Sequence, residues 1–211
     1  MTTLSKNESV DLNNQTGVYE RTTGRIFDLY LNDVIQSPKD YISWNQLIRS
    51  CGENDVVHFH INCYGGDVMT TIQLLRSMAE CQGTTVASIE GACMSAATFI
   101  FLASDVCEIS DHSQFLVHNY SSGNWGKGNE LIAKALAEHA WANRLLNTIY
   151  EGFLTKEEIK EVIEGKDFWL DAPEVAKRLE KRNNASKRKG TRNATKRKLS
   201  AKRIYSQPNS I

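Results

Sequence analysis

The sequence predicts an α/β fold, and three observations predict it. Strand-like and helix-like segments alternate along most of the chain. The strands are short runs that end at glycine or small-residue turns. The repeating unit is strand, turn, helix, strand, which favours right-handed crossovers and functional groups at the ends of strands. No internal repeat is visible.

Residues 1–24 are polar and rich in Ser, Thr and Asn, and are expected to form an arm. Arg25 to Leu31 is expected as the first strand and Ser43 to Ser50 as a helix. Asp55 to Asn62 alternates: Val57, Phe59 and Ile61 face one way, Val56, His58, His60 and Asn62 the other, as in a strand. It ends at Gly65-Gly66. Val68 to Glu80 puts Val68, Ile72, Leu75 and Ala79 on one helical stripe. Thr84 to Ile89 is rich in β-branched residues and reads as a strand broken at Gly91. Ser95 to Ala103 is an apolar helix suited to burial. Val106 to Ile109 and Phe115 to His118 are two more strands, and Asn129 to Tyr150 is a long helix. Thr155-Lys156-Glu157-Glu158 has the spacing of a capping box. Asp171-Ala172-Pro173-Glu174 opens a further helix, with Pro tolerated in the first turn.

The 211 residues carry 25 Lys/Arg and 25 Asp/Glu, but the neutrality hides an asymmetry. From Lys181 onward there are 11 Lys/Arg and no Asp/Glu, leaving 14 basic against 25 acidic groups before it. Three units follow: the arm at 1–24, one globular domain at 25–182, and a basic, disordered tail at 183–211. The tail is either a solubilising extension or a contact for a polyanion. Its one aromatic, Tyr205, argues against base stacking. Five cysteines without a CxxC pair, and no apolar leader, are expected of a reduced, cytoplasmic protein. No stretch approaches the ~20 apolar residues of a membrane helix.

Ser95 lies in Gly91-Ala92-Cys93-Met94-Ser95-Ala96-Ala97, between a strand and an apolar helix. There a hydroxyl lies near unpaired backbone N–H groups, which suit developing negative charge on an acyl oxygen. Read alone, it is a helix N-cap. Gly65-Gly66 is either an ordinary turn or a backbone donor unobstructed by a side chain. His118 ends a strand and has the pKa range of a general base, although any single His is by default a satisfied core or surface residue. Asp167, followed by Phe168 and Trp169, is expected to be partly buried and to seek a hydrogen bond; alone it reads as a solvated loop acid. Together the three supply a nucleophile, a base and its orienter. His58 and His60 share a strand face, but two ligands are too few for a metal and no third is evident nearby in sequence, so no metal is expected. No cofactor is expected. Trp125, Trp141 and Trp169 read as core or interface anchors.

These segments together resemble the proteolytic subunit of the Clp protease. The family's Asn-Ser-Pro-Gly-Gly turn stands here as Asn62-Cys63-Tyr64-Gly65-Gly66. Its Gly-x-Ala-Ala-Ser-Met turn is similar to Gly91-Ala92-Cys93-Met94-Ser95-Ala96, and its Ile-His-Gln-Pro strand end to Val117-His118-Asn119-Tyr120. Its Asp-Arg-Phe-Leu-Ser-Ala segment is similar to Asp167-Phe168-Trp169-Leu170-Asp171-Ala172. The resemblance runs from about Arg25 to Leu179. It implies a crotonase-like ββα spiral whose long helix is a protruding handle through which rings pair. It implies a serine endopeptidase with Ser95 as nucleophile, His118 as base and Asp167 as orienter. The backbone N–H groups of Gly66 and Ala96 would form the oxyanion hole. The implied partners are polypeptide substrates, further copies in a homo-oligomeric ring, and an ATP-driven unfoldase. The family's docking pockets for that ATPase use aromatic residues where this chain has His58 and His60, which argues against docking of a conventional partner. The basic tail has no counterpart in the family.

Three other readings stand beside it. A crotonase-like enzyme acting on acyl-CoA thioesters needs the paired backbone donors but no Ser–His–Asp set. A ring scaffold could keep the fold without turnover. A nucleic-acid-binding protein would use the body as a platform for the tail, against which the acidic body argues.

Overall fold

The computed structural model of the chain describes residues 24–185. Residues 1–23 of the expected arm and 186–211 of the expected tail lie outside the described residues. Six strands form one sheet: β1 (Ile26–Ile35), β2 (Val56–Gly66), β3 (Thr84–Met94), β4 (Val106–Ile109), β5 (Gln114–Val117) and β6 (Phe168–Asp171). Five helices accompany them: α1 (Ile42–Arg49), α2 (Val68–Glu80), α3 (Ala97–Ala103), α4 (Gly128–Ile149) and α5 (Lys156–Ile163). A 3-10 turn at Pro38–Tyr41 precedes α1, and residues 172–185 form a further helix, α6. No helix among the described residues is long and apolar enough to cross a membrane.

The strand order is β1-β2-β3-β5-β6, with β4 also on β3. β1 to β5 pair in parallel, and β6 closes the sheet antiparallel to β5. β3 therefore serves two partners in turn. Its residues Val86 to Ile89 pair with β4, and Ala92 to Met94 pair with β5. At the opening of the sheet, Asp55 accepts from the backbone N–H and the guanidinium of Arg25, and from the N–H of Gly52. Those bonds hold its carboxyl well below the usual carboxylate range.

The core lies between this sheet and the helices. Val57, Phe59 and Ile61 are fully buried, as their alternation predicts. α3 is buried from Ala97 to Leu102.

Several boundaries differ from the sequence reading. β3 is not broken at Gly91 but runs through it to Met94. A side chain there would meet the Asn62 carboxamide, 2.5 Å from its Oδ1. Instead Asn62 Oδ1 accepts the N–H of Ala92 at 3.0 Å. The glycine is an allowance for Asn62, not a breaker. α2 has the expected span, but its buried face is Thr70, Thr71, Leu74, Ser77 and Met78. Val68, Ile72 and Leu75 are half-buried and Ala79 is exposed. The hydroxyls go inside because each has an acceptor: Gln36 O for Thr70, Asp67 O for Thr71, and Asn45 Oδ1 for Ser77. An apolar count misses a buried face satisfied in this way. β6 is a strand that the sequence reading left unassigned. α6 continues past residue 182, the expected domain boundary, and Arg182 donates to the Leu102 carbonyl at 2.9 Å.

Candidate functional site

β3 delivers Ser95 to the start of α3. Its N–H donates to the Leu116 carbonyl on β5 at 2.9 Å, which continues the β3–β5 pairing by one residue. Ser95 has φ +54°, in the left-handed region that L side chains avoid. Such a backbone costs about 1–3 kcal/mol and persists only where its surroundings enforce it. The enforcement is visible. The Ser95 carbonyl accepts from the N–H and hydroxyl of Thr98 at 3.0 and 2.6 Å. Thr98 spends its single hydroxyl proton there, so the Tyr150 hydroxyl, 2.7 Å away, donates to Thr98. Tyr150 closes α4 and is almost fully buried, and burial pushes its pKa up. A buried chain of three residues thus fixes the turn. Sequence reading missed Thr98 and Tyr150, which carry no local motif.

Gly65 and Gly66 lie at the end of β2 with φ of +97° and +138°. A Cβ on Gly65 would stand 2.6 Å from Ser95 Cβ and 3.2 Å from the Ala96 nitrogen. One on Gly66 would stand 2.3 Å from the Ile35 carbonyl. The pair is thus wedged between the Ser95–Ala96 turn and the end of β1, and only glycine fits. This brings the chain at Gly65-Gly66 and the amide of Ala96 to one place.

Register sets His118 and Asp167 at one end of the β5–β6 ladder. β5 and β6 pair Leu116 with Trp169 and Val117 with Phe168. The next positions are His118 and Asp167, one on each side of the ladder's end. The segment after His118 is tied down by Asn119, which donates to the Ile163 carbonyl at 2.9 Å and accepts from the Tyr120 N–H. His118 is half-buried. Asp167 is exposed, against the expectation of partial burial. Its apolar neighbours turn elsewhere: Phe168 packs on the core under the Lys166 ammonium, and Trp169 is itself 61% exposed. Among the described residues no hydrogen bond joins the side chains of Ser95, His118 and Asp167. A cavity of about 490 Å³ opens beside Gly66, between the start of α2, the segment at Tyr120 and the α4 residues Glu138 and Trp141. Of the other tryptophans, Trp125 is fully exposed.

His58 and His60 sit mid-strand on the outer face of β2. No third ligand is near in sequence, but in space Asp28 of β1 joins them, paired with His58 in the ladder. Three possible ligand atoms lie within 4.8 Å of one another. Hydrogen bonds that the Glu90 and Asp28 carboxylates accept push the His60 pKa above its ordinary value. Residues thirty positions apart meet here through sheet pairing, which no local window shows.

No curated protein matches the chain. The family model of Clp protease matches residues 27–178, most of the described structure and well over half of the sequence. That span contains the glycine wedge, the strained serine and the β5–β6 pair, and the chain belongs to the Clp protease family.

Proposed function

We propose that this chain is a serine endopeptidase subunit of a ring-shaped, compartmental protease, with Ser95, His118 and Asp167 as its triad. The observation that carries the proposal is the left-handed backbone of Ser95 at a strand-to-helix turn, wedged against Gly65. A serine held there presents its hydroxyl outward, as in the nucleophile turn of other serine hydrolases. His118 Nε2 takes the hydroxyl proton as Ser95 Oγ attacks the scissile carbonyl. The N–H groups of Gly66 and Ala96 receive the oxyanion, a contribution of about 3–4 kcal/mol per donor. The imidazolium protonates the leaving amine, and the same imidazole then activates the water that hydrolyses the acyl-enzyme. Asp167 holds the tautomer and stabilises the imidazolium. Polypeptide would lie in the cavity beside Gly66 and Trp141.

The finer fold and assembly belong to the same reading. The sheet and helices would wind as a crotonase-like ββα spiral, with α4 as the handle pairing two rings. Its first half supports this, because Ile132 and Leu136 are 65% and 67% exposed. The tail beyond the described residues would contact a polyanion, and the five unpaired thiols suit a reducing cytoplasm.

A second reading, a ring scaffold without turnover, draws on the exposed Asp167 and the unjoined side chains. Apo sites are often loose and tighten on binding substrate, so the geometry favours catalysis only if Ser95 is nucleophilic. Labelling the purified protein with a fluorophosphonate, followed by peptide mapping, decides. The expected outcome is one label on Ser95, lost in a folded Ser95→Ala chain. An unlabelled wild type, or label elsewhere, rejects the peptidase.

A further inference from the structure

The outer face of β1, β2 and β3 carries a cluster that proteolysis does not use. We infer that Asp28, His58 and His60 form a binding site for a divalent first-row transition ion. His60 Nε2 lies 3.1 Å from Asp28 Oδ1, and His58 Nδ1 lies 3.9 Å from the same oxygen. The two rings are 4.0 Å apart between centroids. Two atoms bound at ~2.0–2.1 Å to one tetrahedral ion stand roughly 3.3 Å apart. The two separations to Asp28 Oδ1 bracket that value, all three atoms lie within 4.8 Å of one another, and side-chain rotations close the difference.

The far nitrogen of each ring is already held. His60 Nδ1 donates to the Glu90 carboxylate. His58 Nε2 bonds the Ser88 hydroxyl, which in turn donates to Glu108 at 3.0 Å. Metal-bound histidines almost always have such an outer partner, which fixes the tautomer and raises ligand basicity. Tyr30 stacks on the His60 ring at 4.6 Å and restrains its plane. Three carboxylates around two imidazoles favour a cation over an anion. Two nitrogens and a carboxylate suit Zn²⁺ and its neighbours better than Mg²⁺ or Ca²⁺, which take oxygen. Side-chain exposures of 23%, 16% and 49% for His58, His60 and Asp28 leave an ion open to solvent, where water or an incoming donor completes its shell. Glu90 is five residues before Ser95 on β3, about 16 Å of extended chain. The site is therefore separate from the proposed catalytic centre, and its existence does not depend on peptidase activity.

The test uses the full-length chain stripped of metal, then titrated with Co²⁺ and with Zn²⁺ in competition against a chromophoric chelator. One ion per chain is expected, with a Co²⁺ spectrum of nitrogen and oxygen ligation. Asp28→Asn and His60→Gln should each weaken binding at least tenfold, whereas His139→Gln on α4 should leave it unchanged. Glu90→Gln keeps all three ligands and should weaken binding about 10–100-fold, which decides the matter if a ligand variant fails to fold. Sub-stoichiometric uptake, wild-type affinity in the ligand variants or in Glu90→Gln, or a thiolate charge-transfer band would overturn the site.

Discussion

At Gly65 two chain segments compete for the same space. A methyl group there would stand 2.6 Å from Ser95 Cβ and 2.8 Å from the Met94 carbonyl, and φ +97° disfavours any side chain. Neither neighbour is a flexible tip, so the strain falls on the Ser95 turn itself. Gly65→Ala is expected to cost about 1–3 kcal/mol in urea unfolding. It should also slow fluorophosphonate labelling at least tenfold, because the turn that aims the hydroxyl is displaced. Unchanged labelling would mean that the wedge does not hold the serine. The residue types at the site were legible in the sequence: Ser95, His118, Asp167 and the glycine pair stand in recognisable segments. Thr98 and Tyr150 were not, because a buried hydroxyl chain has no sequence period. Asp167 was legible as a residue but not in its exposure, which depends on where Phe168 and Trp169 turn.

Among the elements, α5 is the most independently specified. Thr155 accepts from the Glu158 N–H, and the Glu158 carboxylate reaches back to the Thr155 N–H, as the capping-box spacing predicts. Only the fold adds Arg178 of α6, whose two terminal nitrogens grip the Glu158 oxygens at 2.9 and 2.8 Å. This bidentate pair lowers the Glu158 pKa to about 2. Its contribution is complete above the ordinary carboxylate range and fades as pH falls from about 4.5 toward 2. Glu158→Gln should therefore destabilise the chain by about 1–2 kcal/mol at pH 7, after solvent screening, and by much less near pH 2. Urea unfolding across that range measures it, and a loss independent of pH would assign the cost to the cap alone. β6 shows the converse. Four residues with mixed burial carry too little pattern to read, and β5 makes them a strand by pairing.

For the molecule as a whole, the unfinished surface is the first half of α4. Only Ala142 and Leu146 of its 22 residues are buried, while Ile132 and Leu136 face outward. Apolar side chains so placed on one helix offer the contact that the proposed ring requires. Ile132→Glu with Leu136→Glu should convert an oligomer to smaller species in sedimentation velocity without loss of helical content. A wild-type chain that sediments as a monomer would remove the ring from the proposal.

Taken alone, the sequence determined the α/β class, the central β2 alternation, the long helix, the capped start of α5 and the segments that carry the candidate triad. Each of these is local, set by a side-chain period, a cap or a turn within a few residues. The tertiary structure decided which distant residues meet. It put His118 and Asp167 at one end of the β5–β6 ladder, Asp28 beside His58 and His60, and Tyr150 against Thr98. Sheet register and buried hydrogen bonds join positions 30 to more than 50 apart in the chain. No periodicity along the chain records such pairings, because they are energies of the folded state and not of any segment.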